Sequence, residues 1–148
     1  MAVTVKQWLE INRKIDVYKI AREVIEATEW EMVKINRDQL MRNQDSAGNQ
    51  LGDYLSKNYA NFKLSRGQSG VVDLFLTGEY QRSIFVETNG KEYFHKASDW
   101  KADKLADKFG EKILGMQKGY HFENYRKNKF LPLFARKYAA ARKGLSTM

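Results

Sequence analysis

The sequence predicts an α+β fold: a long N-terminal helix packed on a small antiparallel sheet with a hairpin, followed by C-terminal helices. Three observations lead there. Between Asp16 and Met41, Val17, Ile20, Ala21, Val24, Thr28, Met32 and Ile35 recur at steps of three and four, drawing one stripe along a helix. Asn89-Gly90 stands between two alternating runs, a hairpin signal because both central positions of a type I′ turn need positive φ. Beyond it, Asp99 to Gly110 and Pro132 to Gly144 carry helix start and stop residues.

Taken in order, Thr4-Val5-Lys6-Gln7 reads as a capping box that starts a short helix. The Asp16–Met41 pattern follows. As one continuous helix it would run about 39 Å at roughly 1.5 Å per residue, and its stripe needs a partner, either a sheet or the same helix of a neighbouring subunit. Asn43 to Gly52, NQDSAGNQLG, is a loop by composition. Asp45 and Asn49, with Asp53 just after it, do not make a calcium loop: glycine falls at the fourth position instead of the sixth, and a leucine intrudes. Tyr54 to Leu64 reads as a tyrosine-bearing connector and Ser65 to Gly70 as a flexible loop.

Leu74-Phe75-Leu76 offers a third strand. Thr77-Gly78 then opens an alternating strand with Tyr80, Ile84 and Val86 on one face and Gln81, Ser83 and Glu87 on the other. Phe85 breaks the alternation, so the second face is expected to be partly covered, and Lys91 to Lys96 returns as the partner strand. Ser98 or Asp99 caps a helix, DWKADKLADKF, that stops at Gly110. Trp100, Leu105 and Phe109 mark its buried side; Lys101, Lys104 and Lys108 alternate with Asp103 and Asp107 on the wet side, where ion pairing accounts for them. After the short apolar piece Lys112 to Met116, Pro132 to Lys143 reads as a final basic helix.

The 148 residues suit a single domain, 1–148, with a basic C-terminal segment, 120–148. With 43% hydrophobic residues, 8 Tyr, 8 Phe and 3 Trp, wholesale disorder is not expected. The absence of cysteine excludes a disulfide framework, thiol catalysis and a Cys-based zinc site. No run of 18 apolar residues exists and MAVTVKQWLEINRK has no signal-peptide core, so a soluble protein of the cytoplasm without membrane contact is expected.

The net charge of +8 has a location. Residues 1–90 carry 12 basic and 12 acidic side chains, whereas residues 91–148 carry 14 and 6. The candidate interface is Arg126, Lys127, Lys129, Arg136, Lys137, Arg142 and Lys143, a stretch without an acid. Such a cluster suits nucleic acid or an acidic protein surface, or is simply a solvated face. Tyr120, Phe122, Tyr125, Phe130, Phe134 and Tyr138 interleave with it; they either stack bases or pack the last helix on the core.

Catalytic signals are thin. His95 and His121 are far apart, with Glu123 near the second, and lack metal-ligand spacing. No G-x-S-x-G elbow, P-loop or G-x-G-x-x-G occurs. No catalytic residue, metal or cofactor is expected.

Three segments together resemble the tail-completion, or head–tail joining, proteins of tailed bacteriophages. They are Thr77-Gly78-Glu79-Tyr80-Gln81-Arg82-Ser83-Ile84; Phe130-Leu131-Pro132-Leu133-Phe134-Ala135; and QLMRNQDSAGNQLGDY, from Gln39 to Tyr54. The resemblance implies a non-enzymatic structural subunit of the neck or tail-completion complex, located in the virion and in host cytoplasm during assembly. It would form a homo-oligomeric ring joining the capsid portal to the tail. Its neighbours would be other connector, portal or tail proteins, and genomic DNA passing through the channel could be touched. Thr77, Gly78, Ser83, Asn89, Gly90 and Pro132 would then be structural positions, with Thr77 capping a turn and Gly78 taking a backbone angle closed to other residues. The reading from the residues alone leaves a second function open: a soluble nucleic-acid-binding protein using the basic aromatic C-terminal segment.

Overall fold

A computed structural model describes residues 3–75 and 77–146 and is mixed α+β. In chain order it contains α1 (Val5–Lys14), α2 (Val17–Ala27), α3 (Glu29–Met41), α4 (Lys57–Ser65) and the single turn α5 (Glu79–Arg82). Strands β1 (Ile84–Thr88) and β2 (Tyr93–Ala97) follow, then α6 (Ala102–Phe109) and a 3-10 turn (Glu111–Ile113). The chain ends in α7 (Tyr120–Tyr125), a π segment (Arg126–Phe130) and α8 (Leu131–Ser146). Thr4 starts α1 with the expected capping box, reciprocated by Gln7.

The long N-terminal helix is two helices. Thr28 interrupts it at φ −110°, ψ 14°. Its hydroxyl donates back to the Val24 carbonyl at 2.8 Å and also meets the Tyr125 hydroxyl at 2.7 Å. That pull from the C-terminal run bends the chain where a β-branched residue already fits a helix poorly. The break divides the apolar stripe between two partners, both within the chain. Ile20 and Val24 of α2 pack with Ile15 under Phe130, Phe134 and Tyr138. Val33 and Leu40 of α3 pack beneath the sheet with Tyr80, Ile84 and Ile113, while Met32 joins Ile25, Met116 and Tyr125.

The sheet has two antiparallel strands, Ile84 facing Ala97 and Thr88 facing Tyr93. Ile84 and Val86 point inward as expected, and Phe85 is half-buried on the other face. The expected third strand does not form: Leu74 adopts φ 57°, which no strand uses, and Leu76 lies outside the described residues. Thr77-Gly78 opens the helical turn α5 instead of a strand, which begins only at Ile84. The hairpin is present but its turn is not type I′. Asn89 to Glu92 form a four-residue loop in which Gly90 takes positive φ and the Asn89 side chain accepts from the Lys91 and Glu92 N–H groups. Gly90 is needed for a second reason: a Cβ there would overlap the Tyr18 carbonyl.

Other corrections are local. The tyrosine-bearing connector contains α4, which Ser56 caps through the Tyr59 N–H. Trp100 is 76% exposed, with Lys101 and Lys104 near its ring at 5.7 and 5.8 Å in place of the ion pairs expected on that helix. Pro132 stands in the first turn of α8, but that helix continues an existing run, and Gly144 does not end it. The helical run is already under way at Tyr120 and continues to Ser146. The π segment makes room for the proline, because Leu131 donates five residues back to Arg126 and the widened turn relieves the clash a proline ring otherwise makes.

One connection ties the layers together. From α3, Asn36 donates to the Ile113 carbonyl (2.9 Å) and accepts from Gly115 N–H (3.0 Å), while Gln39 donates to the Gly115 carbonyl (2.9 Å) and accepts from Gln117 N–H (2.7 Å). Replacing Asn36 with alanine leaves a carbonyl and an N–H of the 113–117 segment buried without partners. The expected loss is about 2–4 kcal/mol of unfolding free energy, read by urea denaturation; an unchanged midpoint would show that this connection does not hold the fold.

Candidate functional site

The C-terminal helical run carries the basic residues. Its apolar side, Phe130, Leu133, Phe134, Tyr138, Ala141 and Leu145, lies on the cluster formed by Ile15, Ile20 and Val24. Lys129, Arg136 and Lys143 therefore fall on the outer side, seven residues or nearly two turns apart, at steps of about 10 Å. Arg142 is exposed beside them, and Lys127 is exposed within the π segment. Arg126 is taken up by Glu123 at 2.8 Å, and its hydrogen bond holds the Glu123 carboxyl below the ordinary carboxylate range. Lys137 reaches toward Glu23 of α2 at 3.8 Å. The seven predicted interface residues thus divide into a line of exposed cations, Arg126 paired within its own helical run, and Lys137 directed toward α2.

The interleaved aromatics are packing residues. Phe130 stacks on Phe134 at 5.7 Å and Phe134 on Tyr138 at 6.3 Å, and Tyr138 hydrogen-bonds Asn12 of α1. Tyr125 is buried against Thr28. Only Tyr120 among the six stands 73% exposed, so cations and aromatic faces do not share one surface.

The predicted structural positions do not converge. Thr77 accepts weakly from the Glu79 N–H at 3.4 Å, and Gly78, at φ 83°, leaves no room for a Cβ between Arg82 and the Phe75 ring. Ser83 closes the same turn by donating to the Tyr80 carbonyl at 2.7 Å. Asn89 and Gly90 shape the hairpin loop, and Pro132 lies in the last helix. Each serves its own turn.

Sequence reasoning missed the most heavily buried charged group. Lys63 of α4 and Asp73 are both sealed from solvent, 2.5 Å apart, with the Tyr54 hydroxyl 2.8 Å from the ammonium and its ring 5.0 Å away. Asp73 also accepts from the Phe75 N–H at 3.0 Å, while its other oxygen has no partner among the described residues. Burial works against the charged lysine, but the hydrogen bonds it donates to Asp73 and Tyr54 outweigh it and hold its pKa above the usual value. A signal was present: VVDLFL, Val71 to Leu76, sets an acid inside an apolar run, where an exposed charge would be out of place. Shut off from water, the pair clamps α4 to the 71–75 segment.

His95 and His121 belong to separate environments. His95 is buried, and because the Met32 carbonyl can only accept, the contact of 3.1 Å places the proton of the neutral ring on Nε2 and leaves Nδ1 as an acceptor with no partner among the described residues. Burial lowers its pKa, as partial burial and then the Arg42 charge lower that of His121. Burial, and then the Asp99 charge, pushes the Tyr80 phenol up to about 12. Among the described residues no group of three or more His, Asp or Glu is placed to hold a metal ion, and no helix is long and apolar enough to cross a membrane.

No protein-family model matches the chain, and no significant match was found among curated proteins or solved structures.

Two outcomes follow from the buried groups. Asp73→Ala, which strands the Lys63 ammonium, is expected to cost about 3–5 kcal/mol in denaturant unfolding, and Lys63→Met combined with Asp73→Leu to recover most of it; equal loss in both variants would contradict the clamp. Below about pH 6.5 the unfolded chain binds more protons than the folded one, because both folded histidine pKa values are lowered. Stability should therefore fall as pH drops through that value, with a shallower slope in His95→Gln; identical slopes would remove His95 as the cause.

Proposed function

We propose that this protein is a non-enzymatic assembly subunit of a tailed-bacteriophage neck or tail-completion complex, working as a homo-oligomeric ring between the capsid portal and the tail. The observation that carries the assembly reading is α1. Val5, Trp8 and Leu9 form an apolar stripe at steps of three and four, Val5 is 76% exposed, and no residue of the helix is fully buried. A well-capped helix with its apolar side uncovered suits burial against another subunit. Leu55, 96% exposed, with Phe62 and Leu64 on α4, supplies further uncovered apolar surface on a different element. A ring needs two unlike faces of this kind, since each subunit meets its neighbours head to tail.

The phage assignment rests on the sequence resemblance. The behaviour of Thr77, Gly78 and Ser83 supports it to the extent that the motif makes a turn and needs no substrate. The line Lys129, Arg136 and Lys143 would face an acidic partner surface or the DNA in the channel. The same line is the one observation that favours the second reading, a soluble nucleic-acid-binding protein.

Native mass spectrometry of the purified chain decides between them. The expected result is a closed ring of many copies that Trp8→Glu with Leu9→Glu reduces to folded monomer. A monomer at all concentrations, together with duplex DNA binding whose log affinity falls by about 0.9 per phosphate contact for each unit of log salt, would favour the second reading. Charge reversal at Arg136, Lys137, Arg142 and Lys143 should weaken particle assembly or DNA contact; unchanged infectivity would count against both.

A further inference from the structure

The strand β2 is paired along one edge only. The register, with Ser98 N–H donating to the Ser83 carbonyl (3.2 Å) and Asn89 N–H to the Glu92 carbonyl (3.3 Å), fixes where each backbone group points. Phe94 and Lys96 exchange their bonds with β1. Tyr93, His95 and Ala97 turn their N–H and C=O groups outward, where they meet no partner among the described residues. The outer edge of β1 differs, because the Val86 N–H donates to the Glu29 carboxylate at 3.0 Å. Open edges are ordinarily blocked by proline, by charge or by a covering element. β2 has no proline, and its Lys96 is drawn across to Glu87 at 2.6 Å on the outer face.

A groove of about 1060 Å³ runs beside this open edge, lined by all five β2 residues. Ile113, Leu114 and Met116 give it an apolar floor, while Asp103, Glu111 and Lys112 line the same groove. Asn36 and Gln39 hold that floor in place from α3. His95, whose buried Nδ1 acceptor has no partner among the described residues, lines the same groove.

We propose that the groove binds an extended peptide segment of another protein as an added strand along β2, with apolar side chains at alternate positions. Three outward donors and three outward acceptors recur every second residue, about 7 Å apart, a demand met by an extended backbone and by neither a duplex nor a small metabolite. Alternate side chains of the added strand face the apolar floor and the others face water. A second copy of this chain fits less well. Its β1 edge is covered by α3, and a two-fold pairing of β2 with itself would bring two 113–117 floors into one layer. The site is the same on a monomer or on a ring, so it stands apart from the assembly reading.

The test uses the full chain as bait for a bead-displayed library of random short peptides, followed by amide hydrogen exchange with a selected peptide. Exchange at Tyr93, His95 and Ala97 is expected to slow, while Phe94 and Lys96, already bonded to β1, stay unchanged. Ala97→Pro removes one outward donor without touching the ladder, and binding should be lost while the rest of the spectrum stays native. Should that variant unfold, the alternating pattern in the unaltered protein decides. The proposal is overturned if no peptide is enriched over bare beads, if bound peptides leave the three amides unprotected, or if a folded Ala97→Pro binds equally well. It is also overturned if the three amides are already slowed, in a concentration-dependent way, in the protein alone, because a second copy then occupies the edge.

Discussion

Two amide side chains on α3 organise the molecule. Asn36 and Gln39 lie one turn apart on a helix, yet together they present donor, acceptor, donor and acceptor to the passing 113–117 segment, much as a neighbouring strand would. All four bonds are buried or partly buried and all are satisfied, the condition under which a buried polar network rigidifies a fold. A helix thereby holds an irregular segment in place against it. Because that segment leads into α7, the same bonds fix where the C-terminal run begins and where it crosses α2.

The break at Thr28 belongs to the same arrangement. A straight helix from Asp16 to Met41 would have carried one stripe to one partner. Thr28 is tied to Tyr125 across the chain, so α2 turns its stripe to the aromatic ladder of α8 while α3 turns its own to the strands. The apolar spacing was legible because burial enforces it over both halves. The break was not, since it comes from one long-range hydroxyl contact that leaves no periodic mark. The same limit explains the turn at Asn89-Gly90. The dipeptide reported a hairpin correctly, but the loop length was set by the Asn89 side chain and by the Tyr18 carbonyl lying against Gly90.

Charge was legible in amount and poorly legible in use. The excess of cations after residue 90 is plain in the sequence, but Arg126 and Lys137 turn out to have acidic neighbours, and the aromatics between them face the core. Counting residue types along a helix mixes its two sides; only the position of the apolar stripe separates them, and the π segment shifts that position ahead of Pro132. The buried Lys63–Asp73 pair shows the opposite case. Its acid stood out in VVDLFL, but its lysine sat in a stretch read as a connector, so neither half pointed to the other.

Removing one partner of that pair and removing one of the α3 amides strand different groups, yet both leave the local path of the chain without its anchor. Buried polar contacts hold the segments around 71–75 and 113–117, while apolar contacts dominate where helices meet, with Thr28 and Tyr125 as a buried polar exception. That division accounts for the uneven treatment of the sheet. The β1 edge lies against α2 and α3, and Glu29 answers its Val86 N–H group. The β2 edge looks out over a floor that the amides of α3 have already fixed, so nothing within the fold needs to cover it. A strand edge left open above a rigid apolar floor follows from the way the 113–117 segment is anchored.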